Sequence, residues 1–277
     1  MKRILLALCL GCAVFNVSAQ QLKTPAPSPG QTIKQDFGLS SIELSYSRPS
    51  VKGRKIFGDV RPYGVVWRTG ANGATTLTFG DDVTIGGTLI KAGKYGLLTI
   101  PDKDSWVIII SKQLDVTSPA AYKKEEDVVR VTAKPILLKD KMETFTMQFA
   151  NVTAATCDLY MMWENTGIAL PISTDIDTKV MAQIKSLPQD DKFPYFSAAS
   201  YYLDNGKDLN QALVWFNTAA EKDPKAYWIL YQKASCLAKL GKKEEAKATA
   251  LKSIEVAKEG KNDDYVKLNE KLLATLK

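Results

Sequence analysis

The sequence predicts an α+β protein of two parts, an antiparallel β-sandwich or open barrel followed by an α-helical, tetratricopeptide-like repeat domain. Three observations lead to this prediction. Short runs of alternating apolar and polar residues, punctuated by Gly and Pro, continue from Ile33 to about Ser173. Beyond Ser173, apolar residues recur at helical spacing instead. Within this second part, the apolar pattern repeats at an offset of 34 residues.

The N-terminus has the features of a secretory signal peptide. Two basic residues precede an apolar run that ends near Phe15, and small residues lead up to Ala19. The run is too short to span a bilayer as a helix. We therefore expect residues 1–19 to be removed and the protein to be periplasmic, with lipid attachment at Cys12 as the alternative. Residues 20–31 contain three prolines and are expected to form a linker.

The β-domain is predicted over residues 32–173, with at least eight strands. Residues 42–46 alternate apolar and polar side chains, as expected for a strand with one buried face. Gly86 and Gly87 separate two short strands and predict a tight hairpin turn. Residues 106–110 are continuously apolar, which indicates a central strand covered on both faces.

The helical domain is predicted over residues 174–277. Leu203 and Leu237 are 34 residues apart, and so are Ala212 and Ala246. This period, with small residues at close helix contacts, resembles tetratricopeptide repeats, although no Trp opens the units. Because solenoids of this kind use their surfaces to hold other proteins, we expect the helices to bind a protein or peptide partner.

The composition excludes several classes of function. The chain is 45% hydrophobic and 24% charged, as in soluble globular proteins. It has no histidine, so a histidine-based triad or a histidine-ligated metal centre is excluded. Cys157 and Cys236, the cysteines beyond the signal peptide, are expected to be buried free thiols. We expect no cofactor and, because two cysteines without histidine are too few ligands, no metal. We also expect no nucleic acid, because the lysines are scattered along the chain.

Arginine is concentrated in one loop-rich segment. Of the five arginines beyond the signal peptide, four lie between Ser47 and Thr76. A planar group with five donors suits bidentate recognition of a carboxylate or phosphate. The alternative is that these arginines fix long loops by pairing with nearby acids. The arginines are Arg48, Arg54, Arg61 and Arg68, and the acids are Glu43, Asp59, Asp81 and Asp82.

The same segment resembles a known family. The motifs are Arg48-Pro49-Ser50-Val51-Lys52-Gly53-Arg54, Ile56-Phe57-Gly58, Trp67-Arg68-Thr69-Gly70-Ala71-Asn72, Ile85-Gly86-Gly87 and Ala92-Gly93-Lys94-Tyr95-Gly96. They resemble domain-of-unknown-function family 2911 over residues 31–173. The resemblance implies an exported bacterial β-domain, often followed by helical repeats. It implies no activity and no catalytic residues.

These observations favour a non-catalytic binding or scaffold protein. The β-domain is expected to hold a small anionic or polyhydroxy ligand, and the helices a protein partner. The expected ligand-binding residues are Arg48, Arg54, Trp67, Arg68, Thr69, Asn72 and Tyr95. One alternative is a glycoside hydrolase in which Asp81 or Asp82 works with Glu43, since such enzymes need only two carboxylates. Another is a purely structural component of the cell envelope.

Overall fold

The computed structural model describes residues 23–276. The chain forms two compact units, one ending at Ile176 and the other beginning at Asp177. The predicted signal peptide, Cys12 and the first residues of the predicted linker lie outside the described residues.

The first unit is built from strands and the second from helices. Between residues 23 and 276 the ten strands are β1 (Gly30–Phe37), β2 (Ser40–Ser47), β3 (Thr76–Phe79), β4 (Val83–Ile85), β5 (Thr88–Ile90), β6 (Gly93–Ile100), β7 (Trp106–Ser111), β8 (Asp127–Ala133), β9 (Ile136–Ala150) and β10 (Thr156–Ser173). In the same range the six α-helices are α1 (Asp177–Ser186), α2 (Tyr195–Asp204), α3 (Leu209–Lys222), α4 (Tyr227–Lys239), α5 (Lys243–Glu259) and α6 (Asp263–Thr275).

The strands form two antiparallel sheets. One has the order β1-β2-β3-β6-β7-β8, and the other has the order β5-β4-β10-β9. The turn between β4 and β5 is made by Gly86 and Gly87, with φ values of 57° and 79°. Both angles are in the region that glycine adopts most readily, as tight hairpins require. The predicted antiparallel architecture followed by helices is confirmed.

The two sheets share one hydrophobic core. Ile42 and Leu44 on β2 point into it, and so do Phe145 on β9 and Leu159 and Trp163 on β10. Their alternation along each strand is the pattern of a sheet with one buried face. The side chains of both sheets therefore cover each other's apolar surface, which is the largest stabilising contribution to such a unit.

Strand β7 is buried on both faces, as its apolar run predicts. Ile108 belongs to the core between the sheets, whereas Ile109 packs with Leu98 and Val116 on the opposite face. Val116 lies in residues 112–126, a segment that we call the strap. The two ends of the strap meet, because the amide of its first residue, Lys112, donates to the carbonyl of its last residue, Glu126, at 2.9 Å.

Three strands differ from the sequence-based expectation. Strand β1 begins at Gly30, inside the predicted linker, and pairs with β2 along its whole length. Strands β9 and β10 have 15 and 18 residues, much longer than the short runs predicted around residues 145–149 and 157–163. The additional residues of β9 pair with those of β10, with register shifts on either side of Glu164. Because its side chains there are mostly exposed, β9 lacks the alternation that predicts a strand.

Helices α3 and α5 of the second unit are spaced by the 34 residues of the predicted period. The first residues of α3 and α5, Leu209 and Lys243, are 34 positions apart, and Ala212 and Ala246 are both fully buried. Consecutive helices contact each other from α2 to α6. Small residues at these contacts allow the helix axes to approach closely. Within residues 23–276, none of the helices combines the length and apolar character needed to cross a membrane.

Gly96 controls how closely the strap approaches β6. A Cβ atom at this position would lie 2.2 Å from the carbonyl oxygen of Gln113. We expect Gly96→Ala to lower the free energy of unfolding by about 1 to 3 kcal/mol, the usual range for overpacking. Gly73→Ala is the matched control, because a Cβ there meets nothing within 4 Å. Urea unfolding followed by tryptophan fluorescence measures both, and equal stability of the two variants would contradict this account.

Candidate functional site

The segment between β2 and β3 is held to the sheets through main-chain carbonyls. Arg48 donates from Nε to the carbonyl of Phe145 at 3.1 Å and from Nη2 to Thr146 Oγ1 at 2.8 Å. Arg54 donates to the carbonyls of Val51 and Ser50 at 3.0 and 2.7 Å. These two arginines therefore fix loops, but their partners are carbonyl and hydroxyl oxygens and not the carboxylates that the sequence suggested.

Trp67 anchors the middle of this segment in the core. It is 3% exposed, and its ring stacks on Trp163 with centroids 5.6 Å apart. Its main chain pairs with Thr99 through two hydrogen bonds of 2.7 and 2.9 Å, and its indole Nε1 donates to the carbonyl of Gly70 at 2.9 Å. Trp67 therefore joins this segment to both β6 and β10.

Thr69 and Asn72 shape the loop that follows. Their φ values of 53° and 55° lie in the left-handed region, which is costly for a β-branched residue such as Thr. Buried hydrogen bonds compensate: Thr69 Oγ1 lies 3.1 Å from Thr99 Oγ1, and Thr75 Oγ1 donates to the carbonyl of Thr69 at 2.8 Å. Asn72 Nδ2 donates to the carbonyl of Ser28 at 3.0 Å.

A small cavity lies between this segment and the strap. Its volume is about 80 Å³, and both Arg61 and Arg68 line it. The remaining lining is contributed by Pro62, Val65, Val66 and Trp67 from the loop segment, and by Thr117, Ser118 and Pro119 from the strap.

The two arginines of the cavity are held in place without any carboxylate. The guanidinium of Arg61 lies over the ring of Trp67, 5.5 Å from its centroid, and Arg68 donates from Nη1 to the carbonyl of Thr117. In the described part of the chain, neither side chain forms an ion pair with an acid. The Nε atoms of both are buried and have no hydrogen-bond acceptor among residues 23–276.

The pKa of Arg61 is affected by its burial and by the neighbouring arginines. Burial of its guanidinium, and then the positive charges of Arg68 and Arg54, lower the pKa of Arg61. Arginine still remains charged at neutral pH. The fold thus gathers positive charge and leaves the Nε donors of Arg61 and Arg68 unsatisfied, and a buried N–H without an acceptor is costly.

The wall of the cavity depends on a cluster that clips the strap to β8. Tyr122 donates from its hydroxyl to Asp127 Oδ2 at 2.5 Å, and Arg130 donates from Nε to the same oxygen at 2.7 Å. Gln113 Nε2 also donates to the carbonyl of Ala121 at 2.6 Å, across the strap. These contacts hold the strap residues that face Arg68.

The predicted acidic and thiol candidates have structural surroundings. Asp82 accepts hydrogen bonds from Lys91 Nζ and from the amide of Ala92, both at 2.9 Å, and so fixes the turn after β5. Burial, followed by the charge of Asp158, raises the pKa of the Cys157 thiol to about 11, which makes it a poor nucleophile at neutral pH. Cys157 and Cys236 are both buried free thiols, as predicted. Among residues 23–276, no three acidic or thiol side chains gather into a group that could hold a metal ion.

Of the predicted site residues, the structure places Trp67 and Arg68 at the cavity. Arg48, Arg54, Thr69, Asn72 and Tyr95 do not line it. The hydroxyl of Tyr95 donates to the carbonyl of Lys91 at 2.9 Å.

Arg61 and the strap residues are absent from the predicted set of ligand-binding residues. The clustering of arginines in the sequence includes Arg61. In contrast, the contact between Arg68 and Thr117 joins positions 49 residues apart and leaves no signal in the sequence.

The clip at Tyr122 predicts a specific dependence of stability on pH. Burial and the hydrogen bond to Asp127 raise the pKa of Tyr122 from 10.0 to about 12. The unfolded chain therefore loses this proton near pH 10, while the folded chain keeps it. This stabilising contribution is complete below pH 10 and is lost as the pH rises towards 12. Urea unfolding at pH 8 and pH 11 should show a smaller loss of stability for Tyr122→Phe than for the unchanged chain. Equal losses would contradict the assignment.

Comparison with known proteins places the first unit in a family. No curated protein and no solved structure is similar enough to this chain to count as a match. The family model described as Protein of unknown function (DUF2911) matches residues 28–172, which contain the cavity and all ten strands except the last residue of β10. The match covers more than half of the chain and bears out the resemblance of the Trp67–Asn72 motif, so the protein belongs to the DUF2911 family.

Proposed function

We propose that this protein is an exported, non-catalytic binding protein whose β unit holds a small anionic ligand between Arg61 and Arg68. The observation that supports this most strongly is that two arginines line one cavity and that the buried Nε donor of each has no acceptor among the described residues. An anion in the cavity would accept from these donors and offset the repulsion between the two guanidinium groups.

The site is organised before any ligand arrives. Arg61 is held by the ring of Trp67, and Arg68 by the carbonyl of Thr117. Side chains that are already fixed lose little conformational entropy when they bind, so more of the interaction energy contributes to affinity. Export is supported by the signal-peptide pattern of residues 1–19, which precede the described residues.

A carboxylate-driven hydrolase has less support. Asp82 has a clear structural role at the turn beside Lys91. Glu43 lies on the exposed face of β2. A purely structural protein is favoured by the roles of Arg48 and Arg54, but that interpretation gives no reason for the unsatisfied donors of Arg61 and Arg68.

The role of the helical unit stays a prediction. Its period favours a tetratricopeptide-like stack that binds a protein partner. A cleft of about 650 Å³ between α3, α4 and α5 has room for several side chains of such a partner. Charges of both signs line it, including Glu221 and Lys233.

Ligand binding is tested by a calorimetric and thermal-shift screen of small carboxylates, phosphates and sugars. A ligand of the unchanged chain should bind Arg68→Gln at least about tenfold more weakly, because hydrogen bonds to charged groups contribute about 1.5 to 3 kcal/mol. Arg68→Lys keeps the charge but removes the planar donor group, and we expect it to recover only part of the affinity.

Arg54→Gln is the matched control. Arg54 belongs to the same segment but is exposed and does not line the cavity. Its replacement should leave the affinity within about twofold of the original. Equal loss in Arg54→Gln and Arg68→Gln, with both variants folded by circular dichroism, would count against this site, as would the absence of any anionic ligand.

A further inference from the structure

We infer that the ligand of this cavity is a terminal oxyanion, a carboxylate or phosphate group, carried on a short apolar chain. The inference rests on the proposed function and specifies the class of ligand. It follows from the division of the cavity lining into a cationic part and an apolar part, and from the size of the cavity.

The cationic part supplies donors for one oxyanion. Arg61 and Arg68 each have one buried Nε–H without an acceptor. A carboxylate or phosphate has at least two acceptor oxygens, one for each donor, whereas a neutral hydroxyl cannot offset the charge. A second charged group on the same ligand finds no further cation among the lining residues.

Apolar residues outnumber the two arginines in the lining of the cavity. Pro62, Val65, Val66 and Pro119 line the cavity along with Trp67. Val65 is 39% exposed, which leaves an apolar surface uncovered beside the two charges. A short alkyl or similar chain would cover Val65, and burying apolar surface is favourable.

The volume sets an upper limit on the ligand. About 80 Å³ is several times the 10 to 15 Å³ that one water needs. It is well below the roughly 300 to 1,000 Å³ of pockets that bury a drug-sized molecule. The cavity therefore suits an oxyanion head with a few methylene groups and is too small to enclose a sugar ring with its hydration.

Titration calorimetry of the purified chain with a homologous series tests the inference. The probes are acetate, butanoate and hexanoate, then phosphate and butyl phosphate, with butanol as the uncharged control. We expect affinity to increase about fourfold for each methylene that enters the cavity, the factor that corresponds to about 0.8 kcal/mol per buried CH₂. The increase should stop once the chain reaches solvent, and butanol should not bind detectably. The stronger of the two oxyanion series then identifies the head group.

Val65→Ser separates the two parts of the site. Val65 is partly exposed, so the substitution should leave the fold intact. It should weaken hexanoate or butyl phosphate about threefold or more while leaving acetate and phosphate unchanged. Arg68→Gln should weaken every member of the series by a similar factor.

The outcomes distinguish this inference from the proposal on which it rests. Binding that depends on Arg68 but is equal for acetate and hexanoate would overturn the apolar chain and leave anion binding in place. Tighter binding of butanol than of any oxyanion would overturn both the ligand class and the anionic site. Absence of binding across both series would also overturn both.

Discussion

The position of Trp67 is the constraint on which the β unit depends. This one side chain stacks on Trp163 of β10, while its main chain pairs with Thr99 of β6. It therefore connects the two sheets and closes the long segment between β2 and β3 against them. The guanidinium of Arg61 also lies over this ring. Burial of a tryptophan removes a large apolar surface from water, so this contact both stabilises the fold and fixes the site.

Main-chain carbonyls satisfy most of the arginines of this segment, and that choice has an electrostatic consequence. A carboxylate partner would neutralise each guanidinium, but the carbonyls that Arg48, Arg54 and Arg68 use are dipoles and leave the net charge in place. Positive charge therefore accumulates next to Arg61. A fold that needed arginine only for tethering loops could use the nearby acids, since charge-assisted hydrogen bonds are stronger than neutral ones.

The cavity exists because two distant segments meet on the outer face of the larger sheet. The strap covers Leu98 and Ile109 with Val116, and it is fixed at one end by the close approach of Gln113 to Gly96. This packing on a second face explains why β7 is apolar throughout. The helical unit has buried polar contacts of its own, such as the hydrogen bond that Asn269 donates to Ser253. Each unit thus has a separate core.

The sequence by itself determined the class of each part, because the alternation of residues 42–46 and the 34-residue period reflect local geometry that burial imposes directly. It also located the arginine-rich segment and the family motif around Trp67. Only the tertiary structure decided which arginines share a cavity, since the strap reaches Arg68 through a contact between residues 49 positions apart. Long-range contacts of this kind depend on packing of the whole unit and have no periodic signature. The first half of β9 could not be predicted as a strand either, because its mostly exposed side chains lack the alternation that one buried face produces.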